Sequence, residues 1–393
     1  MVTLKAKQTT RTDRRSRSGV CTLLLIVLAL SSVLCSVAAE PALRQEGAGV
    51  VTEATHPVEK LGIEMESGRP QPRPVQRSLR RSSSGRDRSR TRAALEANVD
   101  ENGLECETPP LYSRRVDPTN YEYGCREIEE MLDGNRAIAG KGGMRTVILV
   151  KYGGRKLAVK TLNDMKRLGQ HNREVLTLDA LRGHENVVGM LGLCGTTVVT
   201  DFITNSFNNV IFRDGEKLST QRLVTLATDV AKGLQALHDI GGIHMDMNPN
   251  QLLISETGRG VVNDFNSVLF MGVSPVDQHA FCPHTIRKPQ STHNPWRSVD
   301  NLAGKPVTEK EDIYSLGMVF YSLMAGRAPY DSAVSLQRAQ ETNARPEIDA
   351  QWHQGFMEIV KDMWSERPQD RPSAREIVVR LEELDYLGDP DDQ

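Results

Sequence analysis

A break in texture near Asn120 constrains this chain more than any other feature of it. Before the break, from Glu40 to about Asp117, Arg, Ser, Pro, Glu and Gly dominate, as in RPQPRPVQRSLRRSSSGRDRSRTR, and hydrophobic periodicity is scarce. Such a stretch buries too little apolar surface to offset the entropy of ordering it, so residues 40–118 are expected to form a disordered linker. After the break, apolar residues recur at regular spacing between short Gly-containing turns. The folded unit therefore has to be built from residue 119 onward.

Ahead of the linker, Lys5, Lys7, Arg11, Arg14, Arg15 and Arg17 precede an apolar run over residues 20–39 that closes on the small residues Val37 and Ala39. That layout fits a secretory signal cleaved after Ala39. An uncleaved anchor is the alternative, since the run is just long enough to cross a bilayer and would leave a membrane tether. Both readings send the remainder into the secretory lumen or outside the cell. The net charge of −2 gives no argument for a nucleic-acid partner, and none is expected. The Arg cluster over 69–92 reads as a solvated charge run, with a polyanion patch or a protease-processing site as alternatives. Of the six cysteines, Cys21 and Cys35 lie in the leader. Cys106 and Cys125 could close a loop ahead of the fold in an oxidising compartment, and Cys194, within MLGLCG, reads as a buried thiol.

Three strands are expected in RAIAG, RTVILVKY and KLAVKTL, the last two joined by a Gly-Gly hairpin turn. A helix over HNREVLTLDALRG follows, with Val175, Leu178 and Leu181 on one face, and then strands in VVGMLGLCG and TTVVTDF. Beyond Ser206 helices dominate, beginning with the segment capped by Ser219 or Thr220 and stopped by Gly241. The fold class is α+β: a small antiparallel sheet lobe with one helix over 119–203, and a larger helical lobe over 204–390.

Within the sheet lobe, AIAGKGGMRTVILV is a strand, a glycine turn and a strand, and Gly140, Gly142 and Gly143 would let backbone amides approach phosphates. On the next strand Ala158 and Lys160 share a face, and an inward Lys160 requires a carboxylate, which Glu174 on the following helix could supply. In the helical lobe IHMDMNPNQLLI is followed closely by VVNDFNSV. These two segments resemble the catalytic loop and the metal-binding motif of the eukaryotic protein kinases, and the likeness runs in order from about Tyr121 to Tyr386.

The resemblance implies a two-lobed kinase fold that binds ATP with Mg, or Mn, and phosphorylates a hydroxyl on protein. It assigns Asp246 to the substrate hydroxyl, Lys160 and Glu174 to the nucleotide charge, and Asp264 with Gln251 to the metal. Gly140, Gly142, Val147, Ala158, Thr200, Asp201 and Ile203 would surround the nucleotide. Asp312 would anchor the catalytic loop, and Arg371 would pair with Asp300, where the activation segment that starts at Asp264 ends. Several positions depart from the pattern. Gln251 stands for an Asn, Arg145 for the third glycine of the phosphate loop, Met245 for an Arg, Asn248 for a Lys and Asn266 for a glycine. A non-catalytic, nucleotide-binding interaction module is the alternative those departures leave open. His279, Cys282, His284 and His293 could suggest a metal site, but their loose spacing reads better as scattered loop residues.

Overall fold

The computed structural model describes residues 105–387, apart from 135, 214–217, 278–279 and 287–293. The leader and the linker up to residue 104 lie outside the described residues. Among the described residues no helix is long and apolar enough to cross a membrane.

The first lobe is a five-stranded antiparallel sheet formed by β1 (Arg136–Lys141), β2 (Arg145–Tyr152), β3 (Arg155–Leu162), β4 (Met190–Cys194) and β5 (Thr197–Asp201), in the order β1-β2-β3-β5-β4. Gly153 and Gly154 both take positive φ, 56° and 80°, as a two-residue hairpin turn requires. That turn sets Tyr152 opposite Arg155, and the register then carries Val147 opposite Lys160 and Arg145 opposite Leu162. Arg145, Val147 and Lys160 thus share one face of the sheet, a placement with consequences for the site.

Two helices attend this sheet. The first, α1 (Cys125–Asp133), is not among the elements expected from sequence, although its signals are ordinary. Gly124 donates its backbone N–H to Glu127 Oε2 at 3.0 Å, and Ile128 and Met131 bury one face. The second, α2 (Leu168–Ala180), buries Val175 and Leu178 as its periodicity predicts, together with the polar residues His171, Glu174 and Asp179.

The second lobe is helical. After the short α3 (Phe207–Phe212), α4 (Thr220–Asp239) starts where Ser219 accepts the N–H of Arg222 at 3.2 Å. Gly233 lets α4 touch the chain at Asn186, because a Cβ there would stand 2.3 Å from the Asn186 carbonyl oxygen. α5 (Lys310–Ala325) is buried along nearly its whole length and forms the lobe's axis. After α6 (Ala333–Thr342), α7 (Gln354–Met363) packs on α5, and α8 (Ala374–Leu387) packs on α4 and α7, with Phe320, Tyr321, Phe356 and Leu381 in a common core.

Residues 105–118 correct the expectation of a linker extending to 118. They form a strap tied to both lobes. Cys106 is disulfide-bonded to Cys282, in the activation segment, and Glu107 exchanges two backbone hydrogen bonds with Val273. Tyr112 meets the Phe270 ring edge-on at 5.4 Å, and Arg114 donates to the buried Asp179 of α2 at 2.5 Å. The cysteine pairing differs accordingly. Cys125 bonds Cys194, stapling α1 to β4, so Cys194 is no free thiol and Cys106 does not close a local loop with Cys125. The sequence could not reveal this, because Cys106 and Cys282 are 176 residues apart and meet only once the strap crosses the fold.

The Cys106–Cys282 bond removes a very long loop from the unfolded ensemble. Cys106→Ser is therefore expected to cost about 2–5 kcal/mol in urea unfolding under oxidising conditions. The difference between wild type and variant should shrink when both are measured with reductant.

Candidate active site

The glycine turn between β1 and β2, the inward face of β3, the end of β5 and the segment at Asp264 enclose a cleft of about 540 Å³ between the lobes. Gly140, Gly142, Val147, Ala158, Lys160, Thr200, Asp201, Ile203 and Asp264 all line it. Leu253, which sequence reasoning did not single out, lines it from the second lobe. A Cβ at Gly140 or Gly143 would meet nothing within 4 Å, and neither glycine has positive φ. Backbone conformation does not demand glycine there, and what the missing side chains leave is open main chain beside the cleft.

The charges behind the cleft are arranged differently from the expectation. Lys160, 8% exposed, donates to Asn263 Oδ1 at 3.1 Å instead of pairing with Glu174. Glu174, fully buried, is paired at 2.5 Å with Arg145. Nor does the Arg145 side chain stand free over the cleft to meet a phosphate: it donates to the Lys160 carbonyl at 3.1 Å and to His171 Nδ1 at 2.8 Å. The strand register explains this, since Arg145 lies on the same sheet face as Lys160, one diagonal step away, within reach of the same helix. His171 suits the arrangement as a neutral imidazole: its Nε2–H donates to the Gly195 carbonyl at 3.1 Å while Nδ1 accepts from Arg145. Burial and then the Arg145 charge hold its pKa below the ordinary histidine range. Burial raises the pKa of Glu174, against the pull of Lys160 and then Arg145.

Below the cleft the catalytic loop hangs on Asp312 of α5, as the resemblance implied. Its carboxylate, 1% exposed, accepts the backbone N–H of His244 at 2.6 Å and of Met245 at 2.9 Å, and also meets His238 Nε2 at 3.0 Å. Met245 is held at φ 66°, uncommon for a residue with a side chain, and packs with Ile243, Met271 and Val307. An apolar plug therefore occupies the place where an Arg would receive an activation-segment phosphate. Asp246 accepts from Gln251 Nε2 at 3.2 Å, and Asn248 turns back to the Asp246 carbonyl at 2.9 Å. Desolvation raises the pKa of Asp246, while His244, Arg297 and the Gln251 hydrogen bond lower it and Asp264 adds to the rise.

Asp264 also takes a left-handed conformation, φ 62°, and accepts a hydrogen bond from Asn266. Phe265 is buried against the His244 ring, 5.3 Å between centroids. The end of the activation segment departs from the expected Asp300–Arg371 pair. Asp300 binds Lys305 at 2.6 Å, and Arg371 donates to the Ser365 and Lys310 carbonyls. The buried carboxylate at this junction comes from Glu311 instead, which accepts from Ser298 through both backbone N–H, at 3.1 Å, and hydroxyl, at 2.5 Å. As for the histidine cluster, Cys282 is in a disulfide, His284 faces the Phe270 carbonyl, and His279 and His293 lie outside the described residues. Among the described residues no group of three or more His, Cys, Asp or Glu could hold a metal ion.

Comparison with known proteins bears on this geometry directly. A family model described as protein tyrosine and serine/threonine kinase matches residues 135–381, well over half of the chain. The chain belongs to this kinase family. The kinase is 28% identical over 225 residues to the serine/threonine/tyrosine-protein kinase HT1 of Arabidopsis thaliana, covering 55% of each chain. It is 25% identical over 260 residues to mitogen-activated protein kinase kinase kinase 13-A of Xenopus laevis, covering 64% of this chain and 25% of that one. It is 26% identical over 296 residues to the dual specificity protein kinase pyk3 of Dictyostelium discoideum, covering 68% and 21%. The chain thus spans between about a fifth and about half the length of these curated relatives.

Two stability measurements test the charge arrangement of the kinase. Arg145→Ala leaves the Glu174 carboxylate buried without its ion-pair partner and is expected to cost about 3–5 kcal/mol. Lys160→Met removes the bond to Asn263 and the through-space pull of Lys160 on Glu174 but leaves the Arg145 contact in place, and should cost less, about 1–2 kcal/mol; equal losses would show that Glu174 depends on Lys160 as much as on Arg145. Glu311 provides a pH test. Burial raises its pKa to about 7, against the opposing Ser298 hydrogen bonds. A carboxyl with a raised folded-state pKa contributes stability that is present in full below its unfolded pKa and lost as pH rises through the folded value. Stability should therefore fall by on the order of 3 kcal/mol between pH 4.5 and about 8 on this account, and Glu311→Gln should flatten that slope in thermal melts.

Proposed function

We propose that this kinase transfers the γ-phosphoryl group of ATP to a hydroxyl on a protein, with Mg or Mn. The observation that carries the reading is a cleft beneath an open glycine turn that Lys160 lines from a strand and Asp264 from a loop, with Asp246 on a second loop near enough to Asp264 for their charges to interact. Gly140, Gly142 and Gly143 leave main chain clear for phosphates, Lys160 offers an ammonium, and Val147, Ala158 and Leu253 offer an apolar lining for a base. Asp246, aligned by Gln251, is the group to receive or orient the acceptor proton.

The donor set suits a hard divalent cation. Asp264 lines the cleft and the Gln251 amide lies beside Asp246, an oxygen set that leaves the remaining positions to water and phosphate, as Mg prefers. A bound metal would supply neutralisation of the phosphate charge. Gln251 uses its amide nitrogen on Asp246, so its oxygen is the end to turn toward a metal, and manganese tolerates the longer side chain better.

We also place the kinase in the secretory pathway lumen or outside the cell. Support comes from the basic-then-apolar leader and from two disulfides, which persist in oxidising compartments. Whether residues 20–39 are cleaved or tether the protein, the kinase unit ends on the same side.

The test is a transfer assay on the purified chain with γ-labelled ATP, each metal in turn and a peptide library containing Ser, Thr and Tyr. Transfer should occur, Asp264→Ala should abolish it, Gln251→Ala should lower it, and Gln251→Asn should preserve or raise it. Background turnover in wild type and Gln251→Asn alike, with both metals, would instead favour the non-catalytic interaction module.

A further inference from the structure

The loop that presents Asp246 carries no Lys or Arg of its own: residues 244–251 read HMDMNPNQ. The strand lysine does not serve it either, since Lys160 is engaged with Asn263. Among the described residues the ion-pair partner of Asp246 is Arg297, whose Nη2 stands 3.9 Å from Asp246 Oδ1. Arg297 belongs to the end of the activation segment, far along the chain from Asp246. Its side chain is 9% exposed, an unusual burial for a guanidinium without a close bidentate carboxylate.

Arg297 is held by specific contacts. Nη2 donates to the Met245 carbonyl at 2.6 Å, and Nη1 donates to Asn301 Oδ1 at 3.3 Å. Asn301 is fully buried, and its own N–H is accepted by the Ser298 hydroxyl, which Glu311 of α5 fixes in turn. The Met245 carbonyl points toward Arg297 because Met245 is in the left-handed conformation. The residue immediately before Asp246 is therefore gripped from both sides: Asp312 takes its N–H and Arg297 takes its C=O.

We propose that Arg297 is a positioning residue for phosphoryl transfer, which fixes the Met245 carbonyl and the Asp246 carboxylate toward the acceptor hydroxyl and supplies from the activation segment the permanent cation, Lys or Arg, that the catalytic loop lacks. This role rests on the transfer reading above. In the reaction the acceptor oxygen forms a bond to the γ-phosphorus of ATP, the bond from that phosphorus to the bridging β-γ oxygen breaks with its electron pair going to ADP, and the acceptor proton passes to Asp246. Arg297 touches neither nucleotide nor acceptor. It acts through the orientation and charge of Asp246, so the catalytic geometry is complete only while the segment end is seated.

The test compares Arg297→Lys, Arg297→Ala and Arg297→Ala with Asn248→Lys against wild type, using the full chain with its disulfides intact, a casein acceptor and a non-hydrolysable ATP analogue for binding. Because Arg297 acts on the transfer step, Arg297→Ala should lower kcat on the order of 100-fold while leaving analogue affinity and the acceptor KM within about threefold of wild type. Arg297→Lys should retain most of the activity, and Asn248→Lys, which puts a cation two residues from Asp246, should restore roughly tenfold to the Ala variant. A merely structural role would weaken nucleotide binding and thermal stability together and would not be rescued from position 248; that pattern overturns the proposal. Wild-type turnover retained by Arg297→Ala overturns it as well, with the transfer reading intact. Absence of turnover from wild type defeats both.

Discussion

Asp312 is a buried carboxylate that accepts the N–H groups of His244 and Met245 and the Nε2 side of His238, and the geometry of the catalytic loop follows from it. Two adjacent amides directed at one carboxylate require the chain to turn sharply, and Met245 absorbs that turn in the left-handed region. The carboxylate can stay there only because α5 is packed on every side and because its charge is matched by donors. The loop is in effect an appendage of the central helix of the second lobe, and Asp246 inherits its position from that helix.

The opposite wall of the cleft is organised around a second buried carboxylate, Glu174, with a different outcome. Two cations lie within reach on one sheet face, and Arg145 holds the carboxylate while Lys160 turns to Asn263. Arg145 has three further advantages at that place: a second donor for the Lys160 carbonyl, a neutral imidazole to accept from it, and a delocalised charge that loses less on desolvation than an ammonium. Lys160 is left facing the cleft. Neither Glu174 oxygen receives a well-aligned hydrogen bond, so the pair is an electrostatic one and not a directional clamp.

The strap over residues 105–118 joins these walls to the activation segment. Through Asp179 it is fastened to the same helix that carries Glu174, where Arg114, Tyr121 and Arg182 converge on one buried carboxylate. Through Cys106 and Glu107 it is fastened to the strand pair that begins the activation segment. The two elements that must be placed together for the cleft to be complete are thus bound to one piece of chain lying outside the lobes proper. Burial of Asp179 with three donors makes this attachment a specific one, in contrast to the solvated ion pairs elsewhere on the surface.

The sequence by itself determined the fold class, the order of the sheet strands and most of the residues that line the cleft, because each is written in local terms. Alternation fixes KLAVK as a strand with Ala158 and Lys160 on one face, Gly153 and Gly154 fix a hairpin, and the spacing within HMDMNPNQ and NDFN fixes two loops. Even the sharing of a face by Arg145 and Lys160 could have been counted from that two-residue turn. Tertiary structure decided the partners. Whether Glu174 meets Arg145 or Lys160, whether Asp300 meets Arg371 or Lys305, and whether Cys106 meets Cys125 or Cys282 depend on which of several candidate groups the folded chain brings to a site defined by distant segments. The ordering of residues 105–118 was invisible for the same reason: a polar strap with few apolar residues has no period of its own, and its stability comes from a disulfide and from carboxylates on surfaces that exist only after the lobes have folded.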